Sequence, residues 1–189
     1  MIIISQNLIN YGIPIPDNAV FRVNLAWVSS LEKLEEILEK NKENRIFLDV
    51  PKNRLKPPHN RYSIDDLLPV IKKYGNITYF AISNVNSPED LLSINEKIPK
   101  NITIVPKIES PQGVKNIKQI TEKLNNEKIV MLDHDDLYTE ILKNKENPES
   151  FSSYIQELSD FCKENDVILL RTIGVMFADS ETRISEYVK

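Results

Sequence analysis

The regular alternation of short apolar runs with amphipathic helical periods most constrains what this chain can fold into. Runs of strand type recur at Ile2–Ile4, Val20–Val28, Ile46–Val50, Ile77–Ile82, Ile102–Ile108, Lys128–Leu132 and Val167–Ile173. They are rich in Ile and Val and alternate only weakly with polar residues, as strands covered on both faces do. Between them, apolar residues fall three and four apart. Leu31, Leu34, Ile37 and Leu38 form one stripe with Glu and Lys opposite, and Ile64, Leu67, Leu68 and Ile71 form another behind Ser63, a predicted N-cap. Pro88 opens a helix behind Ser87, and Val114–Leu124 and Phe151–Glu164 read as two more. This alternation predicts parallel βαβ units, so the expected fold class is α/β.

The 189 residues are enough for one well-buried domain, here taken as 1–189. An apolar fraction of 41% and a charged fraction of 28% suit a soluble globular protein. The net charge of −4 leaves no basic footprint, and only the loop Lys52–Arg61 favours nucleic acid, so no nucleic-acid partner is expected. With four glycines in all, the chain has neither Gly-x-Gly-x-x-Gly nor a P-loop. Cys162 is the single cysteine, read as a packed thiol, and a cytoplasmic location is the expectation. The opening Met1-Ile-Ile-Ile-Ser lacks the basic region of a signal peptide. No apolar run approaches the roughly 20 residues that span a bilayer, so no membrane partner is expected.

Two of the apolar runs end in bursts of charge. Lys107 and Glu109 lie two apart and project to one face of a strand. Asp135 and Asp136 lie just past the next apolar run. If these strands are parallel neighbours, an ammonium and several carboxylates converge at one end of a sheet, where barrel and open α/β enzymes carry their chemistry. His134, beside three carboxylates that would raise its pKa, is either a metal ligand or acid/base group, or a hydrogen-bonded surface histidine. Trp27 ends a strand and reads as core or rim packing. Arg54–Tyr62, with His59, reads as a surface loop or an active-site lid.

The charged stretch resembles pyruvate kinase and, more loosely, the wider superfamily of metal-dependent pyruvate and phosphoenolpyruvate barrels. Val105-Pro-Lys-Ile-Glu-Ser-Pro-Gln-Gly-Val is similar to the family's strand carrying Lys-Ile-Glu followed by Gly-Val. Met131-Leu-Asp-His-Asp-Asp-Leu-Tyr-Thr-Glu resembles its Gly-Asp-Leu-Gly-Val-Glu segment, and Ala81-Ile-Ser-Asn-Val-Asn-Ser-Pro-Glu-Asp the strand-to-helix turn upstream. Ile46-Phe-Leu-Asp-Val-Pro-Lys resembles Leu-Leu-Asp-Thr-Lys, and Arg22-Val-Asn-Leu-Ala-Trp resembles Arg-Leu-Asn-Phe-Ser-His. Leu170-Arg-Thr and Val175-Met-Phe-Ala-Asp-Ser-Glu-Thr resemble the last two strands. The matches fall in family order from Arg22 to Thr182.

The resemblance implies a parallel (β/α) barrel of TIM type and a role for each matched residue. Glu109 and Asp136 would hold Mg²⁺ or Mn²⁺ through hard carboxylate oxygens. Lys107 would stabilise negative charge on an enolate or phosphoryl oxygen, and Arg22 would hold an anionic group. Thr172 would lie near the reacting carbon. Asn24 and Asp49 match two ligands of a monovalent-cation site, whose other oxygen ligands are replaced by Ala26 and Val50.

Several departures shape the expected function. The span from Asp49 to Ile77 is too short for the family's lid domain, no regulatory domain is expected, and ADP phosphorylation is therefore not expected either. The family's Arg-Gly-Asp-Leu-Gly reads His134-Asp-Asp-Leu-Tyr, which puts Asp135 where glycine admits an anion. At about 4 Å and an effective dielectric of about 20, that repulsion is on the order of 4 kcal/mol, unless Asp135 points away or itself binds metal. Barrels of this type run to about 250 residues, so a trimmed or incomplete barrel is expected, with a homo-oligomer as one way to complete it. The expected activity is that of a divalent-metal-dependent lyase or aldolase acting through an enolate on a small anionic substrate, a 2-oxo acid or a phosphoenolpyruvate-like compound. The alternative is a non-catalytic pyruvate-kinase-like binding or regulatory module.

Overall fold

The computed structural model describes residues 2–5, 16–52 and 60–171. Its strands are β1 (Ile2–Ser5), β2 (Ala19–Asn24), β3 (Arg45–Val50), β4 (Ile77–Ile82), β5 (Thr103–Ile108), β6 (Ile129–Leu132) and β7 (Ile168–Arg171). Every pairing is parallel and the strands lie in sequence order, β1 to β7, in one curled sheet that forms a half-barrel. Because each crossover steps to the next strand in the same direction, the connecting helices share one face of the sheet. These are α1 (Leu31–Lys40), α2 (Ile64–Lys73), α3 (Leu92–Lys97), α4 (Pro111–Lys115), α5 (Ile117–Thr121), α6 (His134–Lys143) and α7 (Ser150–Glu164). The sequence expectation of a parallel α/β fold is met in this half-barrel form.

The two faces of the sheet bury different cores. Phe21, Val23, Ile46, Leu48, Phe80, Ile82, Ile108, Val130 and Leu132 pack outward against Leu34, Leu38, Leu67, Ile71, Leu137, Ile141 and Leu158 of the helices. Val20, Phe47, Tyr79, Ala81, Val105, Ile129 and Met131 form a separate inner cluster. Each buried side chain of this size stabilises the fold by roughly 1.5–3 kcal/mol, which is why both faces are apolar. Cys162 belongs to the outer core, and burial pushes its thiol up to about 11.

The two-residue period of a strand carries the inner row further. From Val20 it reaches Arg22 and Asn24, from Phe47 Asp49, from Ala81 Ser83, from Val105 Lys107 and Glu109, and from Met131 Asp133. The inner face is thus apolar at the amino ends of the strands and polar at their carboxyl ends. Arg45 closes the amino end: its Nη2 donates to the Tyr79 hydroxyl at 2.6 Å, with the guanidinium 5.2 Å from the ring centre.

Three elements differ from the sequence reading. β2 stops at Asn24 because the Asn24 Oδ1 accepts the Ala26 N–H at 3.0 Å and turns the chain into a 3-10 turn, Leu25–Trp27. Trp27 is consequently 70% exposed instead of packed in the core or rim. The run Val114–Leu124 breaks into α4 and α5 at Asn116, whose Nδ2 donates to the Asn86 carbonyl at 2.7 Å. Finally, α6 starts one residue after the β6 run with Asp133 as N-cap, and buries Leu137 and Ile141, four apart.

Candidate active site

Strand β5 and the residue after it place Lys107 and Glu109 side by side, 5% and 2% exposed. The Lys107 Nζ lies 2.8 Å from Glu109 Oε1, 3.6 Å from Asp49 Oδ1 and 3.2 Å from the Ser83 hydroxyl, to which it donates. Burial pulls an ammonium toward its neutral form, but the Asp49 and Glu109 carboxylates outweigh it here and hold the Lys107 pKa above its ordinary value. Glu109 is pushed up by its burial and by Asp136; Lys107 and a backbone N–H only partly oppose this.

Across the sheet, Arg22 on β2 meets Asp49 on β3, with Nε donating to Oδ2 at 2.9 Å and Nη2 donating to the same oxygen. Arg22, Asp49, Lys107 and Glu109 therefore form one row of alternating charge over β2, β3 and β5. Asp49 is 2% exposed, so this is a mostly buried network of paired ions.

The turns around the row are built from polar side chains. Asn84, with φ of 54°, turns its N–H onto Glu109 Oε2 at 2.8 Å, while its Nδ2 donates to the Lys52 carbonyl at 3.0 Å. The Val85 N–H donates to the Lys107 carbonyl at 3.2 Å. Ser110 caps α4 by accepting the Gly113 N–H at 3.0 Å and donates to Asn86 Oδ1. Gly113 lets α4 approach: a Cβ there would lie 2.7 Å from the Val85 carbonyl oxygen.

Beyond Glu109 the charge becomes acidic. One oxygen each from Glu109, Asp133 and Asp136 lies within 4.8 Å of the others. Asp133 Oδ1 also accepts the Asp136 N–H at 3.3 Å, so the cluster sits at the amino end of α6, where the helix dipole favours negative charge. Such a donor set of hard oxygens fits Mg²⁺ or Mn²⁺. Glu109 is itself held on both oxygens, Oε1 against the Lys107 ammonium at 2.8 Å and Oε2 by the Asn84 N–H.

The structure thus gathers Lys107, Glu109, Asp136, Arg22 and Asp49 at the carboxyl ends of the strands. Asn24 lies in register with Asp49, but its side-chain oxygen caps its own turn. Asp135 is exposed in the first turn of α6 and lies outside the acidic cluster; its carbonyl accepts the Thr139 hydroxyl at 2.7 Å. His134 stands half-buried with Nε2 3.1 Å from Arg171 Nη2 and its ring edge-on to Phe151. Burial and then Arg171 lower its pKa, the reverse of the raised value expected from its acidic neighbours Asp133 and Asp135, which only oppose the shift. Thr172 and His59 lie outside the described residues. Asp133 was missed by the sequence reading, although it stands two residues past Met131 and three before Asp136, the spacing of an inward N-cap.

No family model matches the chain. A stretch of 62 residues, 31% of the chain, is 44% identical to pyruvate kinase of Staphylococcus haemolyticus (strain JCSC1435). That stretch spans only 10% of the enzyme's length. In three dimensions the chain is similar to RipC from Yersinia pestis, with a TM-score of 0.61 and 15% identity over 85% of this chain and 72% of RipC. The chain shares a fragment with one and a fold with the other. Among the described residues, no helix is long and apolar enough to cross a membrane.

Proposed function

We propose that this half-barrel is a trimmed barrel of TIM type, a short pyruvate-kinase-like form, and that its carboxyl end is a divalent-metal lyase or aldolase site. The substrate class is a 2-oxo acid or a phosphoenolpyruvate-like compound. The single observation that carries the reading is the buried Lys107 ammonium, held between Asp49 and Glu109 beside an acidic cluster of Glu109, Asp133 and Asp136.

Such substrates bear a carboxylate next to the oxygen that gains charge as the C–C or P–O bond breaks. The result is a dianion, which needs cations fixed around it. Lys107 stays protonated across the neutral range and stabilises the developing charge on that oxygen. Arg22 keeps donors beyond the two given to Asp49, and these hold the substrate carboxylate. Glu109 and Asp136 would hold Mg²⁺ or Mn²⁺, which supplies Lewis-acid polarisation when bound. The short connection from β3 to α2 leaves no room for a nucleotide lid, so transfer to ADP is not part of the proposal. Thr172 keeps its proposed place near the reacting carbon, and pairing between copies is the proposed means of completing the barrel.

Calorimetry with Mg²⁺ and Mn²⁺, alone and with oxalate as an enolpyruvate mimic, tests the reading on wild type, Glu109→Gln and Asp136→Asn. Oxalate binding that requires metal and both carboxylates, followed by turnover of pyruvate, oxaloacetate or phosphoenolpyruvate, is the expected result. A well-folded protein that binds neither metal nor oxalate overturns it. The second reading, a non-catalytic binding module, would then stand; the engagement of Arg22 by Asp49 is the observation that favours it.

A further inference from the structure

We propose that Ser83 is a ligand-binding residue, whose hydroxyl donates to an oxyanion seated at the Lys107 ammonium. The proposal rests on the anion-binding reading of this site and adds a contact from β4 to it. Ser83 follows β4 on the inner row and is 8% exposed. Its oxygen accepts from the Lys107 Nζ at 3.2 Å. A serine hydroxyl also carries a hydrogen of its own to donate. Among the described residues, none accepts that hydrogen. Buried donors without an acceptor are few in folded proteins, and this one stands at the polar end of the half-barrel beside the ammonium.

The chemistry of that hydrogen selects the ligand. An ammonium has no lone pair, so Lys107 takes nothing back from Ser83, and the hydroxyl hydrogen points away from it. Donation by the charged ammonium polarises the hydroxyl and strengthens the hydrogen bond it offers. The matching partner is an anionic oxygen that meets Ser83 and Lys107 together, as a carboxylate or enolate oxygen of the proposed substrates would. Such an oxygen gains a full charge from β5 and a directional hydrogen bond from β4. The backbone fixes the donor before any ligand arrives. The Ser83 N–H donates to the Val50 carbonyl at 3.2 Å, the Asn84 N–H to Glu109 Oε2 at 2.8 Å, and the Val85 N–H to the Lys107 carbonyl at 3.2 Å. Three successive amides thus pin this turn to its neighbours on both sides, and a donor held in this way needs little reorganisation on binding.

The test is oxalate binding by calorimetry, with and without Mn²⁺, to wild type, Ser83→Ala and Ser83→Thr, joined to a crystal structure of wild type with oxalate and Mn²⁺. Alanine removes the hydroxyl and threonine keeps it; melting temperatures identify any variant that fails to fold. The expected result is affinity weakened about tenfold or more in Ser83→Ala and largely retained in Ser83→Thr. In the crystal, an oxalate oxygen should lie about 2.5–3.0 Å from Ser83 Oγ. Equal affinity in wild type and Ser83→Ala overturns the role of Ser83 and leaves the reading of the site intact, as does oxalate bound at Lys107 with no oxygen in reach of Ser83 Oγ. Wild type that binds no oxalate under either condition overturns the anion-binding reading itself, and the role of Ser83 with it.

Discussion

Arg22 and Asp49 meet side-on, with Nε and Nη2 donating to the single oxygen Oδ2, and this leaves Oδ1 facing the Lys107 ammonium 3.6 Å away. One carboxylate, 2% exposed, thus answers two cations on different strands. Removing one member of a buried charge network strands the others in a medium that solvates them poorly. Asp49→Ala is expected to destabilise the fold by about 3–5 kcal/mol, read from the urea midpoint with the slope unchanged. The exposed Lys73–Glu35 pair is the control, and Glu35→Ala should leave the midpoint where it is.

Gly113 tests how tightly α4 must seat against the turn that supports Lys107. Its added methyl would meet the Val85 carbonyl at 2.7 Å and the Ile108 Cγ2 at 3.3 Å. The nearer atom is backbone and cannot rotate away, and its residue also donates to the Lys107 carbonyl. Gly113→Ala should destabilise by about 1–3 kcal/mol in urea unfolding. Gly75→Ala, whose Cβ would meet nothing within 4 Å, should shift stability by no more than about 0.5 kcal/mol.

What the sequence made legible here follows from periodicity. Strands buried on both faces show as Ile/Val runs, and their order in the chain becomes the order in the sheet, so the parallel α/β class could be read directly. The pairing of Lys107 with Glu109 was legible for the same reason, as two residues one strand period apart. What escaped depends on local side-chain-to-backbone bonds. Asn24 and Asp133 each redirect the chain by accepting a nearby N–H, and apolar spacing carries no trace of which amide a side-chain oxygen will choose. Asp135 and Asp133 changed places for this reason: once Asp133 capped α6, the helix carried Asp135 out to solvent. The raised pKa expected of His134 is reversed by its burial and then by Arg171, which is distant in sequence but sits beside it.

Cys162 gives a prediction with a definite pH window. Its thiol, buried in the outer core, titrates near 11, against about 8.5 in an unfolded chain. The folded state therefore holds the proton more tightly, and the stability linked to it is complete below pH about 8.5 and is lost as pH rises toward 11. Labelling by a disulfide reagent at pH 8 should be slow in the native protein, fast in denaturing urea, and unaffected by metal. Rapid labelling of the native protein at pH 8 would contradict the buried, protonated thiol.

Asn84 holds a left-handed backbone, φ of 54°, at the point where its N–H reaches Glu109. Asparagine tolerates that conformation, glycine adopts it freely, and a residue with a plain Cβ loses about 1–2 kcal/mol in it. Alanine at this position can relieve the strain only by rotating the peptide, which withdraws the N–H from Glu109 Oε2. Glycine loses only the side-chain bond to the Lys52 carbonyl. Asn84→Ala should therefore be less stable than Asn84→Gly by about 1 kcal/mol, the reverse of the order found in a helix interior, where glycine is the poorer residue. Thermal and urea unfolding of the two variants measures the order directly. An alanine variant at least as stable as the glycine variant would show that the turn does not need its left-handed residue.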